Sequence, residues 1–247
     1  MRYLVLSDIH ANLEALEAVL ADEPAQDYDQ LVVLGDLVGY GADPNAVVER
    51  IRSTNPVAIV RGNHDKVAAG LESSEGFNTI ARRAAEWTAN ALTKANREYL
   101  AALPAGPLEV STDLEICHGA PYDEDAYIVS ERYAVRALRF AVRPLCLFGH
   151  THFPLALRGE GDRFQLIGRG PLLDGRIPIV ESSKYLINPG SVGQPRDGDP
   201  RAAYALFDDM TREMFLYRVE YAVAQAQAKV IAAGLPEPLA ERLILGR

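Results

Sequence analysis

Three times in the first 65 residues a short apolar run stops at a polar motif. Tyr3–Leu6 ends at Ser7-Asp8-Ile9-His10, Leu31–Leu34 at Gly35-Asp36, and Val57–Val60 at Arg61-Gly62-Asn63-His64-Asp65. Runs of four apolar residues are the length of buried strands. Helical patterns separate them. Leu13, Leu16, Val19 and Leu20 recur at three-to-four spacing, with Asn12 as their predicted N-cap. Asp43-Pro44 predicts a cap and a first-turn proline for a helix through about Arg52. Strand, polar motif, helix, strand is βαβ grammar, which places a ligand site at the carboxyl ends of the strands.

The rhythm then changes. Phe77, Ile80, Ala84, Trp87, Ala91, Ala95 and Leu100 drift along one face of a helical stretch, closed by Pro104. This cap-like segment, about 77–103, interrupts what otherwise reads as one domain over 1–247. Hairpins are predicted for 108–117, for 156–169 turning at Gly159-Glu160-Gly161-Asp162, and for 202–219. Helices are predicted at about 130–141 and 221–233, and further strands at Leu145–Phe148 and Tyr185–Ile187. The mixture predicts an α/β fold of two packed sheets with helices outside.

With 48% hydrophobic residues, the chain can bury a sizeable core. The net charge of −9 counts against a general nucleic-acid surface, which needs a basic stripe. It leaves room for a small anionic substrate, because bound cations reverse the local field. Cys117 and Cys146 lie in apolar runs and read as buried free thiols. No uncharged run approaches the roughly 20 residues that span a bilayer, and the apolar run at the N-terminus is too short for a signal peptide. The expectation is a soluble, cytoplasmic protein.

All five histidines sit in short motifs: Asp8-Ile9-His10, Gly62-Asn63-His64-Asp65, His118-Gly119 and Gly149-His150-Thr151-His152. With Asp36 they offer nitrogen and oxygen donors without thiolate, a set suited to Mn, Fe, Zn or Ni. Side chains at i and i+2 of an extended backbone point the same way. Asp8 and His10 could then grip one ion, and His150 and His152 one ion or one each of a pair. Asp36 can bridge, having two oxygens. Two ions about 3.5–4 Å apart can hold a bridging water whose pKa falls towards 7, and that water can attack phosphorus. His64 is placed as general acid, with Asp65 to hold its other nitrogen. Each motif alone has a plain structural reading. Asp8 could cap a helix, His118 could be a satisfied core histidine, Asn63 could shape a turn and Asp36 could be a loop carboxylate. The conjunction points to metal.

Together these motifs, with Gly35-Asp36, resemble the calcineurin-like metallophosphoesterases. Asn188-Pro189-Gly190-Ser191-Val192-Gly193-Gln194-Pro195-Arg196 is similar to the closing loop of the small bacterial and archaeal phosphodiesterase-type members. The resemblance implies a four-layer αββα sandwich of two mixed β-sheets flanked by helices. It implies two divalent transition-metal ions, manganese among the candidates. One would be held by Asp8, His10, Asp36 and His152, the other by Asp36, Asn63, His118 and His150, with His64 as acid or transition-state stabiliser.

Two departures stand out. Protein phosphatases of this superfamily follow the aspartate motif with an arginine that clamps phosphate; here Leu37-Val38-Gly39-Tyr40-Gly41 follows Asp36. Arg61 or Arg196 is the candidate replacement. Ala11 stands where relatives often have glycine, at a predicted helix start that should tolerate it. Tyr122-Asp123-Glu124-Asp125 reads as an acidic loop or a substrate-selecting rim, and main-chain N–H groups of Gly190, Ser191 and Val192 are candidates for binding phosphate.

The expected activity is hydrolysis of a small phosphorylated metabolite or nucleotide, a phosphodiester first, through a metal-bridging hydroxide. The alternatives are a phosphomonoesterase or protein phosphatase of the same superfamily, a non-catalytic interaction scaffold on the same fold, and a nuclease, which the acidic balance disfavours.

Overall fold

The structure, a computed structural model, describes residues 1–173 and 175–247. Its first third runs β1 (Arg2–Leu6), α1 (Leu13–Ala21), α2 (Glu23–Gln26), β2 (Gln30–Val33), α3 (Pro44–Ser53), β3 (Ala58–Ile59) and α4 (Asn63–Ala69). Next come α5 (Thr79–Ala91), α6 (Lys94–Ala101), β4 (Leu108–Glu109), β5 (Leu114–Ile116), α7 (Glu131–Phe140) and β6 (Leu145–Leu147). The remainder is β7 (Leu155–Glu160), β8 (Arg163–Arg169), β9 (Gly175–Pro178), β10 (Lys184–Asn188), β11 (Ala202–Asp208), β12 (Glu213–Val219), α8 (Val223–Ala232) and α9 (Glu237–Leu245).

Two six-stranded mixed sheets result, ordered β3-β2-β1-β11-β12-β9 and β4-β5-β6-β10-β7-β8. Strands β1, β2 and β3 run parallel in the first sheet, and β5, β6 and β10 in the second. Strand alternation builds the layers. Tyr3 and Val5 of β1, Val32 of β2, Ile116 of β5 and Leu147 of β6 share the core between the sheets. The intervening Leu4, Leu6, Leu31 and Val33 pack outward on Leu16 and Val19 of α1 and Val47 and Ile51 of α3. Cys146 and Leu186 cover the outer face of the second sheet beneath Ala134, Ala137 and Leu138 of α7. The order is helix, sheet, sheet, helix, as the sequence implied.

Several local expectations need correction. Asn12 does cap α1, accepting from Ala15 N at 3.1 Å. Asp43 stands at the N-cap of α3 with Pro44 opening the helix, but its side chain makes no cap bond, its carboxylate taking Lys229 Nζ at 2.8 Å instead. The third strand is only two residues long. The 77–103 stretch breaks into α5 and α6 at Thr93, whose Oγ1 accepts from Asn96 N and starts a new helix. Helix α5 packs through Ala81, Ala84 and Trp87 on Val230 and Leu239 of the two C-terminal helices. Edge strand β9 and helix α9 went unforeseen, the first for want of alternation and the second because Pro236 and Pro238 mask its start. No helix among the described residues is long and apolar enough to cross a membrane.

Candidate metal centre

The carboxyl ends of five strands deliver the motif side chains to one place. The turns after β1, β2, β3, β5 and β6 carry Asp8 and His10, Asp36, Asn63, His118, and His150 and His152 respectively. Their ligand atoms form two groups, each lying within 4.8 Å: Asp8, His10, Asp36 and His152, and Asp36, His118 and His150. Asp36 belongs to both. Its Oδ2 lies 3.5 Å from His10 Nε2 and 3.4 Å from His118 Nε2, while Oδ1 accepts from His64 N at 2.9 Å. Asn63 Oδ1 lies 3.3 Å from His118 Nε2, on the side of the second group.

Extended alternation is not what aims these residues. Asp8, His10, Asp36, His150 and His152 all have positive φ, between 49° and 67°. That region costs an L-residue roughly 1–2 kcal/mol. Neighbouring loops hold the strained turns in place. Asp8 N donates to Gly35 O at 3.1 Å and His10 N to Asp36 O at 3.0 Å, and Ser191 Oγ donates to Asp8 O at 2.7 Å. The Asp8 carboxylate accepts from Ser7 Oγ at 2.6 Å and from His150 N at 3.1 Å. Ala11, at φ 52°, shares the conformation, which explains why glycine would suit that position better than a helix start implied.

Four imidazoles each give one ring nitrogen to a main-chain carbonyl. His10 Nδ1 meets Val38 O (3.0 Å), His118 Nδ1 Leu34 O (2.8 Å), His152 Nδ1 Gln194 O (2.6 Å), and His150 Nε2 Asp125 O (3.1 Å). A carbonyl cannot donate, so each of these nitrogens carries a hydrogen, and wherever the ring is neutral the other nitrogen is left as a lone pair. His10 Nε2 and His152 Nε2 then face one another at 3.0 Å with neither able to donate while both rings are neutral. A cation satisfies that arrangement. The donors therefore fit divalent ions.

Electrostatics agree. Burial pushes His10 and His152 well below the usual imidazole range and His150 to about 3, keeping them unprotonated. Burial also lowers His118, but the Asp36 and Asp8 carboxylates overcome it and push that ring up to about 10. Burial raises Asp36, and His118, His64 and His10 outweigh it, holding the carboxyl well below its ordinary value. A metal at His118 must displace a proton.

The remaining candidates fall out differently. His64 donates neither ring nitrogen to a carbonyl of the described residues. Its Nδ1 is buried without a hydrogen-bond partner among the described residues, and it lines a cleft of about 280 Å³ with Asn63, Phe77 and His150. Asp65 does not orient it. Its oxygens accept from Val38 N (3.1 Å) and Gly62 N (3.0 Å), tying the start of α4 to the loop after β2. Arg61 forms a bidentate pair with Glu124, both contacts at 3.1 Å, and is not free to clamp phosphate. Arg196 lies near the cluster, 5.7 Å over the Tyr40 ring, bonded to Gln194 Oε1 at 3.1 Å. Val192 N and Gly193 N donate to Ser7 O and Asp8 O, and Gly190 N to Asn188 Oδ1, so the Gly190 and Val192 N–H groups are committed within the protein rather than offered to phosphate.

The acidic loop is neither merely solvated nor only a rim. Lys66 of α4, 5% exposed, draws it in, with Nζ 2.6 Å from Asp125 and 3.3 Å from Glu124. Asp125 O thereby reaches His150, and the Tyr127 ring lies 3.7 Å from the His150 ring. Nothing in the spacing of Lys66 from Asp125 marks this contact. By contrast the contact of Ser7 with the Asp8 carboxylate is between neighbours in the chain, so its signal is present in the sequence.

A calcineurin-like phosphoesterase superfamily model matches residues 1–212. The uncharacterized protein MJ0912 of Methanocaldococcus jannaschii is 39% identical over 249 residues, covering 98% of this chain and 97% of the relative. A metallophosphoesterase crystal structure from Sphaerobacter thermophilus is 41% identical, covers 100% of this chain and 99% of the other, and superposes with a TM-score of 0.85. A hypothetical protein, PH1004, from Pyrococcus horikoshii OT3 shares the fold at 21% identity and a TM-score of 0.79, covering 100% of this chain and 98% of the other. With its buried Asp/His clusters and this match, the chain belongs to the calcineurin-like phosphoesterase superfamily and is a metal-dependent phosphoester hydrolase.

Proposed function

We propose that the chain hydrolyses phosphodiesters of small phosphorylated metabolites or nucleotides, using two divalent ions drawn from Mn, Fe, Zn or Ni. The observation that carries the reading is Asp36 Oδ2, common to both ligand groups. Asp8, His10, Asp36 and His152 would hold one ion, and Asp36, Asn63, His118 and His150 the other. Bound ions would supply a water that is acidic enough to attack near neutral pH and positive charge against the phosphoryl oxygens.

The chain's own groups do the rest. His64, on the wall of the cleft beside Asn63, would pass a proton to the departing alkoxide. Burial lowers His64 to about 4, so the ring is neutral near pH 7 until the charge of an arriving phosphoester raises it. Arg196 would contact the phosphate. Leu37 and Val38 after Asp36 are fully buried and Arg61 is committed to Glu124. With one nearby guanidinium, a singly charged diester is the better match than a doubly charged monoester. The free thiols of Cys117 and Cys146, their sulfurs 3.9 Å apart, support a reducing, cytoplasmic setting. The net charge of −9 supports small substrates over nucleic-acid polymers.

The test is metal-stripped protein reloaded with Mn, Ni, Zn or Mg in turn, assayed on bis-p-nitrophenyl phosphate and p-nitrophenyl phosphate. A diester preference of at least about tenfold in kcat/KM, or about 1.4 kcal/mol of transition-state binding, is expected. A monoester preference overturns the diester reading.

A further inference from the structure

A second, larger cavity adjoins the metal centre. It has a volume of about 660 Å³, within the roughly 300–1,000 Å³ of ordinary small-molecule sites. Tyr127 lines both this cavity and the 280 Å³ cleft that holds His64. Thr151, between the two ligand histidines, and Arg196 line it as well, so it lies beside the metal cluster. Ile128, Phe153, Leu155 and Leu166 give it apolar wall, Ser130 and Glu131 line it too, and Arg169 adds a second guanidinium.

These walls are unusual in their exposure. Tyr127 is 49% exposed and Leu166 39%, which leaves apolar surface uncovered beside the catalytic centre. Neither Arg169 nor Arg196 has a carboxylate within 4 Å among the described residues. With these two guanidinium groups against the single carboxylate of Glu131, the lining carries net positive charge in a chain of 34 acidic and 25 basic residues, which matches an anion.

We propose that this cavity is a specificity subsite for the retained half of the phosphodiester, and that it takes an aromatic or apolar group bearing a further negative charge. The inference rests on the phosphodiesterase reading. A diester has two substituents. The departing one must lie near His64, in the smaller cleft. The retained one must then leave the phosphorus on another side, and Tyr127 separates the two spaces. Apolar walls favour a ring, and Arg169 favours its charge.

The experiment uses the full chain loaded with Mn. Three diesters share the p-nitrophenolate leaving group and carry methyl, phenyl or 4-carboxyphenyl as the retained group. In the native protein, kcat/KM rises at least about tenfold from methyl to phenyl, the scale of filling an apolar pocket, and rises again with the carboxylate. Leu166→Trp, which fills the cavity, collapses the phenyl-to-methyl ratio. Arg169→Glu inverts the carboxyphenyl-to-phenyl ratio. Taking ratios removes the intrinsic reactivity of each ester.

Diester hydrolysis with ratios untouched by both variants overturns the subsite and leaves the phosphodiesterase reading intact. No diester hydrolysis overturns that reading. Binding of the inert 4-carboxyphenyl methylphosphonate, followed by calorimetry, then decides the subsite. Weakening in both variants supports it, and equal binding or none refutes it.

Discussion

Replacing Lys66 with methionine should weaken one metal site and spare the other. Lys66 Nζ contacts Asp125 at 2.6 Å, Glu72 at 2.9 Å and Glu124 at 3.3 Å. Methionine keeps the length of the side chain and removes the charge. The Glu72 and Asp125 side chains are 54% and 43% exposed, so each pair is worth only about 0.2–1 kcal/mol after solvent screening. Glu124 keeps Arg61. The stability loss should be about 1–2 kcal/mol, or roughly 2–8 °C in Tm for a chain of this size. The functional effect is sharper. Without Lys66 the loop no longer presses Asp125 O on His150 Nε2 or Tyr127 on the His150 ring. Loss of such an outer contact costs about 10–100-fold in metal affinity, or about 1.4–2.8 kcal/mol. Calorimetric titration with Mn should show one site weakened by that factor and the other, with His10 and His152, unchanged. Equal weakening of both sites, or of neither, refutes the account.

The same network fixes a pH window. Burial lowers Lys66, but Asp125, Glu72 and Glu124 outweigh it and hold the ammonium above its ordinary 10.5. A raised base contributes stability that is present below its unfolded pKa and lost as pH climbs through the folded one. Burial raises Glu124, but Arg61 and Lys66 hold it below its ordinary 4.5, so its contribution is present above that value and lost as pH falls through the folded one. The stability difference between the native chain and Lys66→Met should stay level between pH 4.5 and 10.5 and shrink outside that range.

Other outcomes follow from the centre itself. His64→Ala should lower bis-p-nitrophenyl phosphate turnover at least about a hundredfold with both metals retained by elemental analysis; unchanged turnover removes His64 from the chemistry. Asp36→Asn should impair both metal sites, whereas His150→Ala should leave one ion bound per chain; matching stoichiometries for the two variants contradict the shared carboxylate. Gly35→Ala should be among the most damaging small substitutions. Gly35 has φ +96°, and a methyl there would lie 2.7 Å from His118 Nδ1 and 2.8 Å from Gly62 N. A loss of about 3 kcal/mol is expected from strain plus overlap, read as a Tm lower by about 6–12 °C.

Much of this protein is local and therefore written in the chain. Tyr3–Leu6 and Leu31–Leu34 alternate sides of a sheet because strand geometry leaves no other arrangement. Asn12 caps α1 because its carbonyl reaches the next turn. All seven proposed metal ligands were named from short motifs, since a metal site demands particular donor atoms and few residues supply them. What lay beyond the sequence was relative placement. Asp65 and Arg61 stand beside His64 and Asn63 in the chain, yet their partners are the amides of Val38 and Gly62 and the carboxylate of Glu124. Adjacency proposed roles for them that spatial competition then removed. The carbonyls of Leu34, Val38, Asp125 and Gln194, which decide the imidazole tautomers, carry no side-chain identity at all. The left-handed turns at Asp8, His10 and Asp36 likewise follow from loops locking one another. Short motifs name which atoms could bind metal and periodicity which faces are buried, because both are properties of single residues and their neighbours. Tertiary packing alone chose the orientations, because it brings together groups that the chain keeps more than a hundred residues apart, such as Asp8 and His150.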